Sequence, residues 1–91
     1  MNQEDRLKKA VALQYDKEKT NVPIVTAKGQ GYIADEILKR AKDANIPIQE
    51  DKSLIELLAN LNLYDRIPEE LYQAVAEVFA YIYRIDQAKN K

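Results

Sequence analysis

The sequence predicts an α/β fold in which a small sheet of about three strands, including a parallel βαβ unit, is covered by three helices. Apolar residues alternate with a period of two in two early segments, and the period becomes helical from Tyr32 onward. A strand, a helix and another strand within about 30 residues indicate a right-handed parallel crossover, here over residues 22–50. A chain of 91 residues accommodates one domain, and we expect residues 1–8 and 86–91 to be frayed tails.

The first two strands are predicted by side-chain alternation and by β-branched residues. Over residues 10–15 the larger side chains fall on one face, as in a half-buried strand. Residues 22–27 form the second strand, which ends at Gly29. Pro23 is compatible with a strand start, because the N–H that proline lacks is not needed there. The charged residues 16–21 between these segments predict a solvated loop.

The first helix and a third strand are predicted from residue 32 to residue 50. From Ile33, apolar side chains recur at i, i+4 and i+8, as on one face of a helix. The helix should end near Ala44, because Asn45 favours the left-handed conformation and Pro47 prevents continuation. Residues 46–50 then form a short strand that completes the βαβ unit.

Two further helices are predicted in the second half of the chain. Ser53 and Glu56 have the spacing of a capping box, which places the second helix start at Ser53. Pro68 is expected as the first residue of the third helix, with two glutamates near the positive end of its dipole. The apolar stripe of that helix is Leu71, Val75, Val78, Phe79 and Ile82.

Composition excludes several classes of function. Fourteen basic and fifteen acidic residues leave a net charge of −1, so we expect no nucleic-acid partner. The chain has no cysteine and no histidine, and we therefore expect no catalytic residues, metal site or cofactor. No apolar run reaches the roughly 18 residues of a membrane-spanning helix, and no signal peptide is evident. We therefore expect a cytoplasmic, non-enzymatic protein without direct membrane insertion.

One motif suggests a different class of protein. The run Gly29-Gln30-Gly31-Tyr32-Ile33-Ala34 is a G-x-G-x-x-A sequence between a predicted strand and a helix, and Glu50 follows about 20 residues later, as in a dinucleotide fingerprint. Lys28 stands where an apolar residue is favoured, and the second half of such a site does not follow. The glycines are also explained by a tight turn and a helix start. A nucleotide-binding βαβ fragment stays as the alternative reading.

Several segments resemble a known protein family. Residues 67–84, Ile-Pro-Glu-Glu-Leu-Tyr-Gln-Ala-Val-Ala-Glu-Val-Phe-Ala-Tyr-Ile-Tyr-Arg, are similar to the last helix of the cytoplasmic domain of FlhB, the flagellar export-switch protein, and of its YscU-like type III secretion relatives. Residues 10–16, 23–29 and 46–50 resemble the successive strand segments of that domain. The resemblance covers about residues 9–84.

The resemblance also has a clear departure. Before the Ala-Val-Ala-Leu segment, the full-length family carries an Asn-Pro-Thr-His motif at which the chain cleaves itself. The matching residues here are Asp5-Arg6-Leu7-Lys8, and we expect no self-cleavage at that position. The sequence thus resembles the part of the domain that follows the cleavage point, and we expect it to act as a free protein.

The resemblance implies a role and two binding surfaces. It implies a component that docks on the export gate, whose membrane part belongs to FlhB, and that supports export or specificity switching at the inner face of the membrane. A vestigial paralogue with an unrelated protein partner is a further alternative. The family is thought to receive export substrates on a small apolar surface, whose positions here would be Val22, Pro23, Ala76 and Phe79. Phe79 is equally explained as a core residue.

The second surface is a sheet edge. Because the strand that leads into the family's cleavage motif has no counterpart among the first residues, the first strand should present unpaired backbone groups. The edge residues are Ala10, Val11, Ala12, Leu13, Gln14 and Tyr15. We expect this edge to bind the gate protein or to pair with a second copy in a homodimer, with Lys8 and Lys9 limiting uncontrolled pairing.

Overall fold

The computed structural model describes residues 8–15, 18 and 21–89, with side chains described as far as Arg84. Residues 1–7 lie outside this part of the chain, and with them most of the predicted N-terminal tail and of the segment that replaces the cleavage motif. In chain order the elements are β1 (Lys9–Gln14), β2 (Ile24–Gln30), α1 (Tyr32–Asp43), α2 (Lys52–Leu58), a 3₁₀ turn (Glu69–Leu71) and α3 (Tyr72–Lys89). Within the described residues, the three predicted helices and the first two predicted strands are confirmed.

The sheet is an antiparallel pair of strands. Lys9 lies opposite Gln30 at one end and Gln14 lies opposite Ile24 at the other. The register shifts after Ala12, because Thr26 of β2 has no opposite residue and forms a bulge. The Thr26 hydroxyl donates to the Ala12 carbonyl at 3.4 Å.

The predicted third strand and parallel βαβ unit are not formed in the part of the chain that the structure describes. Residues 46–50 form no strand, and all five are exposed. Pro47 offers no N–H to a ladder. The outer edge of β2 is instead covered by residues 64–67, where the Val25 N–H donates to the Asp65 carbonyl at 3.0 Å and the Tyr64 N–H donates to the Val25 carbonyl at 2.6 Å.

Helices cover both faces of the sheet. Adjacent strand residues point to opposite faces. Lys28 reaches α2, since its Nζ donates to the carbonyl oxygens of Ala59 and Leu61 at 3.3 and 2.8 Å just beyond the helix end. Gly29 faces α1, whose Ile33 occupies the space next to the glycine. The sheet therefore lies between α1 on one face and α2 on the other.

The largest cluster of buried residues lies on the α2 side of the sheet and is completed by α3. Its buried members are Val22, Leu54, Leu58, Ile67, Leu71 and Val75. Val75 is only 2% exposed, which makes it the central anchor of α3. Val11 and Leu13 of β1 pack against the same cluster, so one face of β1 belongs to this core.

Two predicted helix starts need correction. The N-cap of α2 is Asp51, whose carboxylate accepts a hydrogen bond from the Leu54 N–H at 2.9 Å, so Ser53 lies within the first turn and does not cap the helix. Pro68 is extended and precedes the 3₁₀ turn, so it is the cap residue and not the first helical residue. The expected left-handed residue after α1 is confirmed at Asn45, with φ of 59°.

Candidate functional site

The predicted apolar surface is divided between core and solvent. Val22 is 8% exposed and belongs to the buried cluster, and Pro23 is buried beside it. The Pro23 carbonyl accepts from the Ile67 N–H at 3.1 Å, which holds this strand start against residues 64–67. Phe79 is half-buried and packs against the cluster that contains Val22, whereas Ala76 is exposed one turn earlier on α3.

An aromatic contact extends this surface to the end of β1. The Tyr15 and Phe79 rings lie 6.2 Å apart between centroids and are inclined by 38°. This distance is within the range in which aromatic pairs attract, and such pairs contribute about 0.5–1.5 kcal/mol beyond their burial. Tyr15 is 47% exposed, so its ring borders the surface without being enclosed. We define the apolar patch as Tyr15, Val22, Pro23, Ala76 and Phe79.

The sequence prediction had assigned Tyr15 to the strand edge and not to the apolar patch. A signal for the second assignment was present, because the period of two places Tyr15 on the same face as Val11 and Leu13. Both of those side chains pack against the core cluster that Phe79 also contacts. The spacing of α3 adds Tyr72 and Tyr83, which are exposed and share a helical stripe with Ala76 and Phe79 at i, i+4, i+7 and i+11.

The strand edge has a defined hydrogen-bonding pattern. The Gly31 N–H donates to the Lys8 carbonyl at 2.8 Å, so the Lys8 and Gly31 pair is a hydrogen-bonded one. Bonded and non-bonded pairs alternate along an antiparallel ladder, and this directs the backbone groups of Lys9 and Val11 away from β2. Leu13 lies opposite Val25, whose N–H and carbonyl bond residues 64–67 and not β1. The backbone N–H and carbonyl of Leu13 therefore also point away from β2.

Five of the six predicted edge residues lie within β1 and fall into two sets, and Tyr15 follows the end of the strand. Ala10, Ala12 and Gln14 direct their backbone groups toward β2, and Val11 and Leu13 direct theirs outward. No backbone hydrogen bond between described residues uses the outward groups of Lys9, Val11 and Leu13. Their side chains are held in place, because Val11 and Leu13 enter the core and Lys9 pairs with Glu56 at 2.6 Å. The edge is thus a preformed row of donors and acceptors on a supported strand.

The glycine motif is explained by packing. A Cβ at Gly29 would collide with the Ile33 side chain, so this glycine permits the close approach of α1 to the sheet. Gly31 has φ of 64° at the N-cap of α1, a conformation that favours glycine. Glu50 lies in the exposed, unpaired segment where the βαβ unit had been predicted. The strand that a dinucleotide site requires is therefore not formed, and the geometry gives the nucleotide-binding alternative no support.

Two further properties of the described residues concern metal binding and helix length. In this part of the chain no group of three or more acidic side chains is placed to hold a metal ion. None of its helices is long and apolar enough to cross a membrane. The strand edge and the adjoining apolar patch are therefore the two candidate binding surfaces of the described structure.

Comparison with known proteins places this arrangement in a family. The model of the FlhB HrpN YscU SpaS family matches residues 7–82, which cover both the sheet and the apolar patch. The chain belongs to this family. Membership of the FlhB/YscU family confirms the resemblance that the helix and strand segments had indicated.

Individual relatives show how much of the family's length is shared. The chain is 50% identical to the Bacillus subtilis protein YlqH over 92 residues, which cover 100% of this chain and 99% of YlqH. It is 45% identical to the Helicobacter pylori flagellar biosynthetic protein FlhB over 83 residues, which cover 90% of this chain but only 23% of FlhB. The chain thus spans less than a quarter of that flagellar protein and nearly all of YlqH.

A solved structure from the FlhB/YscU family shares the fold. The cytoplasmic domain of FlhB from Shewanella putrefaciens superposes with a TM-score of 0.86 at 35% identity, covering 90% of this chain and 64% of that one. Identity at this level together with the shared fold makes residue-by-residue comparison with FlhB meaningful.

Proposed function

We propose that this chain is a non-catalytic interaction module of the flagellar or type III export apparatus. Family membership and the match to the FlhB cytoplasmic domain support a role in export. In this proposal the chain supplies the part of the switch domain that follows the cleavage point of FlhB. It works in the cytoplasm, at the inner face of the membrane beside the export gate.

The edge of β1, which no other backbone among the described residues bonds, is the observation that carries the proposal. Lys9, Val11 and Leu13 offer outward backbone groups on a strand whose side chains are already fixed. An extended segment binds such an edge by strand addition, with main-chain hydrogen bonds giving affinity. The proposed partner is the FlhB segment that leads into the cleavage motif, and a second copy of this chain is the competing occupant.

The apolar patch is the proposed contact for export substrates. Val22 and Pro23 form its buried floor, so they act by supporting the surface. Ala76 is exposed, and its small side chain leaves room on α3 beside the half-buried ring of Phe79. An apolar side chain of a substrate would therefore contact Ala76 and Phe79 directly. Replacement of one class of export substrate by another at this patch would give the specificity switching that the proposal includes.

Binding of a synthetic peptide with the pre-cleavage strand of FlhB tests the docking step. Val11→Pro removes one outward N–H and puts a ring in the path of the added strand, whereas Val11→Ala removes the same core packing but keeps the N–H. A lost hydrogen bond costs about 0.5–1.5 kcal/mol, so Val11→Pro should weaken binding by at least about two-fold relative to Val11→Ala, and the ring adds to this loss. Isothermal titration calorimetry measures both affinities, and circular dichroism confirms that both variants fold.

Equal affinity in the two folded variants would show that docking does not use this edge. A mass measurement by analytical ultracentrifugation identifies the competing occupant, because self-pairing would give a dimer that the peptide dissociates. A cellular test completes the design. The chain should restore export to a strain whose FlhB is truncated after the cleavage point, and Val11→Pro should restore less than Val11→Ala.

A further inference from the structure

One residue belongs to both the strand edge and the apolar patch. Tyr15 directly follows Gln14, the last residue of β1, and its ring lies 6.2 Å from that of Phe79. The sequence separation of these two residues is large, so this contact joins the first strand to the last helix. The functions proposed above for the strand edge and the apolar patch do not use the contact between Tyr15 and Phe79.

The geometry makes Tyr15 responsive to the state of the edge. The backbone groups of every second residue, Val11 and Leu13, point away from β2, and Tyr15 is next in this series. A strand added along β1 and continued one residue pair beyond Leu13 would therefore bond the backbone of Tyr15. Its ring is half exposed and is therefore not fixed by enclosure. Phe79 is also only partly buried, so both members of the contact have freedom to adjust.

We infer that Tyr15 is a positioning residue that couples occupancy of the β1 edge to the conformation of Phe79 in the apolar patch. An added strand orders the backbone at Tyr15, the Tyr15 ring then fixes the Phe79 ring, and the patch acquires one defined shape. Coupling between two binding sites is reciprocal, so a ligand on the patch changes the affinity for the strand by the same factor. This inference rests on the proposed function, because it requires that the edge binds a strand.

The composition provides a reporter for this test. Phe79 is the single phenylalanine of the chain, so 4-fluorophenylalanine incorporated in the full chain labels the patch alone. The labelled protein is titrated with the FlhB pre-cleavage strand peptide, while calorimetry on the same samples measures binding separately. We expect the ¹⁹F resonance to shift as peptide is added. The midpoint of that shift should equal the midpoint of binding measured by calorimetry.

Three variants separate a positioning role from simple packing. Tyr15→Trp keeps an aromatic ring without adding a second fluorophenylalanine, and it should keep the shift. Tyr15→Ala removes the ring and should bind the peptide with loss of the ¹⁹F shift. If Tyr15→Ala fails to fold, Tyr15→Leu replaces it, because leucine keeps apolar bulk without an aromatic ring.

The possible outcomes distinguish failure of the coupling from failure of the strand docking on which the coupling depends. Peptide binding without a ¹⁹F shift in the unsubstituted chain would overturn the coupling and leave the proposed docking intact. A shift that persists in folded Tyr15→Ala or Tyr15→Leu would overturn the role of Tyr15. Absence of binding by calorimetry would overturn both the docking and the coupling.

Discussion

Gly29→Ala is the substitution for which the structure predicts the clearest mechanism. Gly29 lies in β2 directly beneath α1, and its backbone conformation is not the reason for glycine. A Cβ at this position would overlap Ile33 Cγ2 and would lie 3.0 Å from Ile33 Cβ and 3.2 Å from Ile37 Cδ1. Ordinary contacts begin near 3.4 Å, so the Ile33 side chain or α1 itself must shift.

The size of the effect follows from the nature of the obstacle. Adding a methyl group to a packed interface costs about 1–3 kcal/mol when the backbone has to shift. A domain of this length has a free energy of unfolding of about 5–14 kcal/mol. Each kcal/mol lowers the melting temperature of a small domain by roughly 4–8 °C. We therefore expect Gly29→Ala to lower the melting temperature by at least several degrees.

A double-mutant cycle with Ile33→Ala isolates the collision. Ile33 is 47% exposed, so its truncation alone should cost little, and it removes the overlapping Cγ2. Contacting residues show interaction energies of about 0.5–3 kcal/mol, and the double variant should be less destabilised than the sum of the single variants. Urea denaturation measures all three. Additive single effects would refute the argument that Ile33 is what requires glycine at position 29.

Three other outcomes are expected. Asp51→Ala should lower the free energy of unfolding by about 0.5–2 kcal/mol in urea denaturation, because it removes the α2 cap. Ser53→Ala, at the cap that the sequence predicts, should change it by less than about 0.5 kcal/mol. Equal effects would contradict the assignment of Asp51 as the cap. Val75→Ala should lower the free energy of unfolding by about 1.5–3 kcal/mol, since it removes two buried methyl groups and leaves a cavity. Gln73→Ala, at an exposed position of the same helix, is its control in the same denaturation experiment. Intact-mass measurement after storage at alkaline pH should show an unbroken chain, and a fragment that begins at Arg6 would contradict the expected absence of self-cleavage.

The elements that the sequence predicted correctly are those with strong periodicity. α1 was recognised by its repeat from Ile33 and by Asn45 and Pro47 at its end, and each of these signals is local. The alternation over residues 10–15 predicted β1 for the same reason. A period of two or of 3.6 residues reports which side of an element is buried, and it needs no knowledge of the partner.

The errors concern the partners that each element finds. Residues 46–50 have the composition of a strand, but pairing depends on a free neighbouring edge, and residues 64–67 cover the outer edge of β2. Nothing in the polar run before Ile67 indicated that its backbone would bond β2. The cap of α2 was misplaced for a similar reason, because Asp51 and Ser53 are both good caps and only the observed hydrogen bond distinguishes them.

The two edges of the sheet differ in a way that bears on function. A two-stranded antiparallel sheet has little stability alone, so its strands depend on the helices packed on both faces. On the β2 side, residues 64–67 also satisfy the edge backbone at Pro23 and Val25. On the β1 side, the side chains of Val11 and Leu13 are fixed in the core while the adjoining peptide groups remain open in the described structure. Natural proteins protect exposed edges against unwanted pairing, so the peptide groups of Lys9, Val11 and Leu13, which no other described backbone bonds, support the strand addition that we propose.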